Sequence, residues 1–457
     1  MLDSAEQGDA VSPPIILILA LFYEVFGAAC VVPNIFLIIC FYFVILQLRT
    51  IQIGYRKIIG IRKKEMKQLK ENEGVERSLL LAMAVIAGLT VANCYYNQPL
   101  LEMIRHDIGV SQHEANLITV VTQIGYALGL CFLIPMGDLY SRRRIIIVNM
   151  TVAAVMAVVI AVAHNVWMIW GSSLLLGACS VIPQFFIPIA GQYSEKENKS
   201  RNMGVVLSGL LTGILASRVV SGYVGEWLGW REMFLIAALV MVLCMAITLK
   251  IMPQIKSNYV GTYGGLMASV FNIVKSNGRI RLYAVRAAFS FGSMMAIWAC
   301  LAFRLAQAPF YSGSEMVGTL GLCGIAGAIA ASGVGKLVNR LGIRNMSVYG
   351  ACLQLVAWAT AWLFGDTFMG LVVAIILVDV GLQCLQLSNQ SGCIQEMPQA
   401  SNRANTIFMT TYFIGGSFGT YCAGLAWAHK GWIGVCAVGA ILAAISLCIT
   451  CFNGKRI

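Results

Sequence analysis

Charged residues are scarce in this chain. Asp, Glu, Lys and Arg together make up 11% of its 457 residues, whereas 59% of the residues are apolar. An ordinary soluble domain has roughly 25% charged residues. So low a share of charge excludes a soluble enzyme, a disordered protein and a coiled coil. The chain also contains no P-loop sequence, so we do not expect it to hydrolyse ATP. We expect a membrane protein that is not an enzyme and needs no cofactor.

Histidine is also rare, and none of the four histidines lies in the middle of an apolar run. They fall near the ends of such runs or between them, at His106, His113, His164 and His429. This placement excludes a proton relay of histidines inside a membrane. It favours solvated loop residues over a metal site, so no bound metal is predicted.

Apolar runs long enough to cross a bilayer core of about 30 Å recur from residue 78 onward. There are twelve such runs, which we number spans 1 to 12. They cover 78–101, 115–137, 145–163, 166–191, 203–226, 231–251, 282–306, 316–337, 346–365, 367–390, 404–428 and 432–452. The pattern predicts an all-α polytopic membrane protein.

Lysine and arginine occur almost only in alternate loops. One set of loops holds the basic residues at 142–144, 196–201, 250–281 and 336–344, with Arg403, Lys455 and Arg456. The other set holds only Arg105, Arg231 and Lys430. We call the two ends of the spans the basic end and the far end. Because basic loops stay in the cytoplasm, the C-terminus is predicted to be cytoplasmic. The net charge of +12 then reflects topology in a plasma membrane and not nucleic-acid binding.

Residues 1–77 form an extension that the twelve spans do not need. Its apolar stretch, 14–48, is too long for one upright span and is interrupted at Pro33 and Asn34. An acidic tail without Lys or Arg precedes this stretch, which argues against a cleaved signal peptide. One kinked extra span with an outside N-terminus, followed by a basic cytoplasmic linker, fits these flanks; a short hairpin is the alternative.

The twelve spans divide into two similar halves. Residues that coincide at an offset of 202 are Gly229-Trp230 with Gly431-Trp432, Arg201 with Arg403, Gly213 with Gly415, Gly222 with Gly424, and Gln184 with Gln386. Agreement of Trp, Gln and Arg at one offset predicts two parallel six-helix bundles, 78–251 and 282–457. The loop that joins them, 252–281, places Leu266, Val270 and Ile273 on one helical face, which indicates an amphipathic helix on the cytoplasmic surface.

Two loops, one in each half, carry the same motif. The first has Asp138 followed by Arg142 and Arg143, and the second, 335–344, reads G-K-L-V-N-R-L-G-I-R. Over 78–454 the chain resembles the major facilitator superfamily, whose loop between its second and third helices reads roughly G-x-L-x-D-R-x-G-R-R. It is also similar to the twelve-helix bacterial drug:proton antiporters in its segments Asn97-Gln98-Pro99 and Ser388-Asn389-Gln390.

The resemblance implies that the motif loops form a conformational latch that holds an outward-facing state. Asp138 stands at the cytoplasmic end of span 2, where it can face a helix N-terminus or pair with a neighbouring arginine. The latch candidates are Asp138, Arg142, Arg143, Asn339, Arg340 and Arg344. The alternative role of the arginines is to fix topology, and both roles can hold at once.

The resemblance also implies that spans 1, 4, 7 and 10 line a central cavity. In span 10, Asp379, Gln383, Gln386 and Gln390 fall on one narrow stripe that cannot face lipid. Span 4 has a matching stripe that ends at Gln184. The candidates for the substrate cavity are Asn93, Asn97, Ser180, Gln184, Arg218, Gln383, Gln386 and Gln390. The alternative is that such residues join helices to one another.

Two charges lie deep within the predicted spans, Asp379 in span 10 and Arg218 in span 5. Each would cost roughly 2.5 to 3.5 kcal/mol if it faced lipid, so each must face protein or water. Asp379 is either the proton carrier or a fixed partner of Arg218. Arg218 stands where the resemblance leads us to expect a proline, which raises the chance of an anionic substrate. Arg286 and Arg304, near the two ends of span 7, are expected to snorkel toward the interfaces.

These observations favour a secondary transporter of the plasma membrane, proton-coupled and exporting a small organic compound by alternating access. The first alternative is uptake of an anionic metabolite that binds Arg218. The second is a receptor or scaffold that transports nothing. The expected partners are a small-molecule substrate, a proton and the lipid bilayer, and we expect a monomer.

Overall fold

The computed structural model describes residues 69, 73–195, 197–253, 255, 261–397 and 400–452. Within these ranges the side chains of 200, 328–333, 335, 336 and 339 are not described. The predicted N-terminal span, 14–48, and most of the basic linker lie outside the described residues. The side chain of the latch candidate Asn339 does as well.

All twelve predicted spans are helical, and the described residues contain no strand. The first half has the helices Arg77–Val91 and Asn97–Ile108 (span 1), Gln112–Leu128 and Ile134–Leu139 (span 2), Arg142–Ala161 (span 3), Val166–Cys179 and Pro183–Tyr193 (span 4), Lys199–Trp227 (span 5) and Trp230–Ile251 (span 6). The second half has Gly278–Leu305 (span 7), Ser314–Leu320 and Gly324–Phe364 (spans 8 and 9), Phe368–Glu396 (span 10) and Ser401–Phe452 (spans 11 and 12).

Two glycines separate the spans that run on without a loop. Gly342 has a φ of 80° between spans 8 and 9, and Gly431 has a φ of 57° between spans 11 and 12. Such positive φ values are readily adopted by glycine, and they let the chain turn from one helix into the next without a long loop. The prediction of an all-α polytopic fold is confirmed.

Three spans are interrupted near their middle. Span 1 passes through a 3₁₀ turn at Ala92–Cys94, span 2 through a π-helical turn at Gly129–Leu133, and span 4 through Ser180, just before Pro183. Interrupted helices in membrane proteins lie where neighbouring helices or polar groups can satisfy the backbone. These three interruptions belong to the first half, and span 8 of the second half is interrupted nearer its far end by a 3₁₀ turn at Gly321–Cys323.

Each half contains the same close contact between two helices. In the first half, spans 1 and 5 meet at Gly88 and Gly213, where a Cβ on Gly213 would overlap the backbone of Gly88 and one on Gly88 would overlap the Gly209 carbonyl oxygen. In the second half, spans 7 and 11 meet at Gly292 and Gly415, where a Cβ on Gly292 would overlap the Gly415 carbonyl oxygen and one on Gly415 would overlap the backbone of Ala288. Small residues let membrane helices approach this closely. Because Gly213 and Gly415 coincide in the repeat, the two halves are built on one plan.

The prediction that Arg286 and Arg304 snorkel is wrong. Both side chains are buried, at 3% and 7% exposure. Arg304 donates to the carbonyl oxygen of Gly365 and pairs with Asp366, and the guanidinium of Arg286 lies over the ring of Tyr283. The loop carbonyl and carboxylate at the far end lie within reach of Arg304, so this side chain need not extend to water.

The two halves are in contact at the far end, and we call three of the contacting pairs of spans there the far interface. Spans 5 and 8 meet at Gly222 and Gly318, where a Cβ on Gly222 would lie 2.9 Å from the Gly318 Cα. Spans 2 and 7 meet where Asn116 donates a hydrogen bond to the Ala299 carbonyl at 3.2 Å. Spans 2 and 11 meet where Trp427 donates to the Gln112 side chain at 2.6 Å. At the basic end a cavity lies between the halves.

Candidate functional site

Arg218 lies where the two halves meet and is 2% exposed. Its Nε–H donates to the Gln98 Oε1 of span 1 at 2.9 Å. Its guanidinium carbon lies 3.9 Å from the ring centroid of Trp298 in span 7 and 5.2 Å from that of Tyr95 in span 1. Its backbone packs on Gly318 of span 8. The cation is therefore held by both halves, largely by aromatic rings.

Asp379 approaches the same place from span 10 and is 7% exposed. A Cβ on Gly327 would lie 3.2 Å from the Cβ of Asp379, so span 8 leaves room for this side chain only because a glycine stands there. Arg218 is within electrostatic range of the carboxylate, and the Trp298 N–H is close enough to stabilise it. The described contacts nevertheless include no ion pair within 4 Å between Arg218 and Asp379. They are opposite charges that face each other without direct contact.

Two of the other stripe residues of span 10 contact span 11. Gln386 accepts a hydrogen bond from the Tyr412 hydroxyl at 2.8 Å, and Gln390 donates to Asn405 at 2.8 Å. Gln383 is half-buried. The repeat mate of Gln386 makes a similar contact, since Gln184 lies 3.5 Å from the Tyr126 hydroxyl. The two repeat-related glutamines thus each meet a tyrosine.

The cavity candidates Asn93 and Asn97 of span 1 and Ser180 of span 4 make contacts inside the first half. Asn97 donates to Thr122 at 3.1 Å and accepts from Thr119 at 3.2 Å, both in span 2. Asn93 lies 3.3 Å from the sulfur of Met241 in span 6, and the Ser180 hydroxyl donates to the Leu176 carbonyl of its own helix. The contacts of Asn93 and Asn97 join helices to each other, and that of Ser180 stays within its helix, whereas Gln184 borders the cavity at the basic end.

That cavity lies between span 2 and span 4 on one side and the start of span 11 on the other. Its polar lining residues include Asp138, Arg142, Gln184, Asn405 and Arg403. The amphipathic helix predicted in the central loop is present at Tyr263–Ser276, and we call it the linker helix. Leu266 and Val270 of its buried face line the cavity too. Its apolar face is therefore against protein at the cavity.

The linker helix is hydrogen-bonded to both halves. The Tyr263 hydroxyl donates to the Phe132 carbonyl in the π-helical turn of span 2 at 3.0 Å. At the other side, Arg403 at the start of span 11 donates to the Ser269 hydroxyl. The linker helix thus connects the two halves beside the cavity at the basic end.

The described contacts of the first motif loop lie within the first half. Arg142 donates to Asp138 at 3.3 Å, to the Gly137 carbonyl at 3.3 Å and to Gln192 at 3.2 Å. Arg143 is buried and donates to the Leu249 carbonyl of span 6 at 2.6 Å. In the second loop, Arg340 and Arg344 are exposed.

Sequence reasoning missed the neutral residues that surround Arg218. Trp298 lies fully buried in the middle of span 7, although tryptophan in membrane helices concentrates at the interfaces. Its central position was a usable signal. Gln98 stands out in the sequence only as part of a motif, and Tyr95 carries no signal because aromatic residues are common in any apolar run.

Comparisons with known proteins agree with this architecture. The family model for the Major Facilitator Superfamily matches residues 80–420. The uncharacterized transporter YgaY of Escherichia coli O157:H7 is 33% identical over 380 residues, which are 83% of this chain and 96% of YgaY. The probable transporter SCO4007 of Streptomyces coelicolor is 30% identical and covers 79% of this chain and 84% of its own. The crystal structure of the nucleoside transporter NupG matches with a TM-score of 0.64 at 14% identity, over 81% of this chain and 97% of that one.

Proposed function

Since the chain belongs to the Major Facilitator Superfamily and is a multi-pass membrane transporter, we propose that it is proton-coupled and moves a small organic compound by alternating access, with Asp379 as the proton carrier. We place it in the plasma membrane with its C-terminus in the cytoplasm, as the basic loops indicate. The resemblance of Asn97-Gln98-Pro99 and Ser388-Asn389-Gln390 to drug:proton antiporters favours export.

The observation that carries this proposal is the buried Asp379, which faces Arg218 across the contact between the halves without an ion pair. A carboxylate that is held in no ion pair can gain or lose a proton without first breaking one. Its charge also acts between the halves, because Arg218 belongs to the first half and Asp379 to the second. A proton on Asp379 therefore changes the attraction between the two moving parts, as coupling requires.

The coupling can be tested in proteoliposomes with a compound chosen by a ligand-induced thermal-shift screen of the purified protein. A pH gradient should drive flux of that compound through the unmodified protein. Asp379→Asn keeps the size and removes the titratable group, so the gradient-driven flux should vanish while exchange of the compound for itself persists. Glu232→Gln, which alters an exposed carboxylate at the far end, serves as the matched control.

Two results would contradict the carrier role. Normal gradient-driven flux in a well-folded Asp379→Asn protein would favour a sodium-coupled or uncoupled carrier. An Asp379→Asn protein that misfolds, and whose expression returns when Arg218→Gln is added, would instead make Asp379 a fixed partner of the arginine.

The geometry around Arg218 favours a second candidate, uptake of an anionic metabolite. Arg218 is a buried cation for which Gln98 is the one hydrogen-bond acceptor among the described residues. The direction of proton movement separates the candidates. An exporter that exchanges its compound for protons moves the two in opposite directions, whereas an anion taken up with protons moves in the same direction as they do.

A further inference from the structure

Two buried side chains with unsatisfied hydrogen-bond donors, Gln98 and Trp298, lie against Arg218. The Trp298 Nε1–H and the Gln98 Nε2–H₂ group complete no hydrogen bond in the described part of the chain, and both side chains are 0% exposed. Of the Arg218 nitrogens, only Nε has an acceptor there. Buried donors are nearly always paired, so each exception calls for an explanation. We call Arg218, Gln98 and Trp298 the donor cluster.

The orientation of Gln98 leaves its amino group free. Because a guanidinium can only donate, the Gln98 atom at 2.9 Å from the Arg218 Nε must be its oxygen. The Nε2 group then points elsewhere and needs an acceptor of its own.

The indole of Trp298 is engaged on its face but not at its edge. The Arg218 cation lies over the ring at 3.9 Å. The N–H at the ring edge is near the Asp379 carboxylate, yet no hydrogen bond of ordinary geometry joins the two. Protonation of Asp379 would remove the negative charge that attracts this N–H, and the donor could then serve another anion.

Donors of this kind fit an oxyanion. We propose that Arg218, Gln98 and Trp298 form the subsite for a carboxylate group of the transported compound, and that the carboxylate binds together with a proton on Asp379. A guanidinium matches the planar geometry of a carboxylate and can donate two parallel hydrogen bonds to it. This inference rests on the proposed proton coupling through Asp379. Because the anion and the proton bind together, it favours the second candidate, uptake, and narrows the substrate class to small organic carboxylates.

Charge balance requires that a proton binds to Asp379 when the substrate carboxylate binds beside Arg218. The ionisable groups that face Asp379 in the described residues are Arg218 from span 5, Cys323 from span 8 and Tyr412 from span 11. Arg218 is the one cation among them. A substrate carboxylate beside Arg218 would add a second negative charge to this buried site, which is costly unless Asp379 is neutral. Entry of one anion with one proton keeps the net charge of the site unchanged.

The subsite can be tested with pairs of probes that differ in charge but little in shape: acetate with acetamide, and benzoate with benzamide. The purified full-length protein should be stabilised against heating by at least one carboxylate and by neither amide. Binding of that carboxylate should take up about one proton per protein, measured with a pH indicator in weak buffer. The absence of any shift with both carboxylates, or an equal shift with the matching amide, would overturn the subsite.

Two tryptophan variants isolate the role of the unsatisfied N–H. Trp298→Phe and Trp358→Phe remove the same atoms from two buried rings, but the Trp358 N–H is bonded to the Ser293 hydroxyl at 2.7 Å. Trp298→Phe should weaken carboxylate binding about tenfold and lower the Tm of the ligand-free protein less than Trp358→Phe does. Trp358→Phe should leave carboxylate affinity unchanged. Equal carboxylate affinity in the two variants would overturn the assignment of Trp298.

The results also separate this inference from the proposed function. Gradient-driven flux of a neutral compound, with no response to either carboxylate, would leave proton coupling intact and overturn the subsite. Carboxylate binding that needs the donor cluster but takes up no proton would retain the subsite and overturn co-binding with a proton on Asp379.

Discussion

The guanidinium of Arg218, in the first half, lies 3.9 Å from the ring centroid of Trp298, in the second half. A cation stacked on tryptophan at this distance and shielded from water contributes about 2 kcal/mol or more. The contact exists only while the halves are together at this level. Opening of the far interface would move span 5 away from span 7 and break this contact. The pair of Arg218 and Trp298 therefore stabilises the conformation in which the far interface is closed, which we call the far-closed state.

The far interface should be sensitive to a single added methyl group. A Cβ on Gly222 would lie 2.6 Å from the Ser314 carbonyl oxygen and 2.9 Å from the Gly318 Cα, both of them backbone atoms. Gly222→Ala should therefore destabilise the far-closed state by about 1–3 kcal/mol and slow transport. Cross-linking between cysteines that replace Gln112 and Trp427 should fall accordingly, since these residues are joined in the closed state.

Gly204→Ala provides the control in the same helix. No atom lies within 4 Å of a Cβ at Gly204, so this variant should cross-link and transport as the unmodified protein does. If the two alanine variants behave alike, close packing at Gly222 does not set the balance between conformations.

The motif loop is predicted to act on conformation and not on the cavity. Asp138→Asn removes the carboxylate that accepts from Arg142 at 3.3 Å. We expect slower transport with membrane insertion and substrate affinity largely intact, because a state-dependent contact shifts populations. Initial rates and thermal-shift affinities measure the two effects. Arg144→Gln, at an exposed arginine of the same loop, is the control, and unchanged transport in Asp138→Asn would leave the arginines as topology markers.

The linker helix should limit access to the cavity at the basic end. Tyr263→Phe with Ser269→Ala removes one hydrogen bond to each half. Each bond is worth about 0.5–1.5 kcal/mol, so a cysteine replacing Gln184 should react about fivefold faster, or more, with a thiol reagent. Ser276→Ala is the control, since that hydroxyl bonds to its own helix at Asn272. Equal rates in both would show that the linker helix does not restrict the cavity.

Orientation in the membrane can be measured directly. Asn345 and His164 are exposed at the basic end and the far end, respectively. A cysteine replacing Asn345 should react with a membrane-impermeant reagent only from the cytoplasmic side, and one replacing His164 only from outside. The protein without either substitution supplies the background of its own cysteines, and the reverse labelling pattern would refute the assigned topology.

The parts of this molecule that follow from local physics were predictable from its sequence. A bilayer forces each crossing into a long apolar helix, so hydropathy located all twelve spans. A buried charge is so costly that Asp379 and Arg218 stood out without any structural information. The presence of the amphipathic helix was likewise evident from its periodicity.

The features that could not be predicted are contacts between residues that lie far apart in the sequence. The apolar face of the linker helix was expected at the membrane surface, but periodicity gives a face and not its partner, and Leu266 faces the protein cavity. Arg304 was expected to reach for water because the loop carbonyl of Gly365 could not be placed beside it. Gln98 and Trp298 are neutral, so nothing in the sequence tied them to Arg218.

The far interface also bears on how such a transporter can change its cargo during evolution. Spans 5 and 8 close on one another through Gly222 and Gly318, which have no side chains with which to recognise a solute. Gln386 and Gln390, which can recognise one, instead contact span 11 within the second half. Substitutions at these two positions can therefore retune selectivity without disturbing the surfaces that open and close, whereas a change at Arg218, which packs on Gly318, would alter both. Relatives can in this way share one moving framework while carrying different compounds.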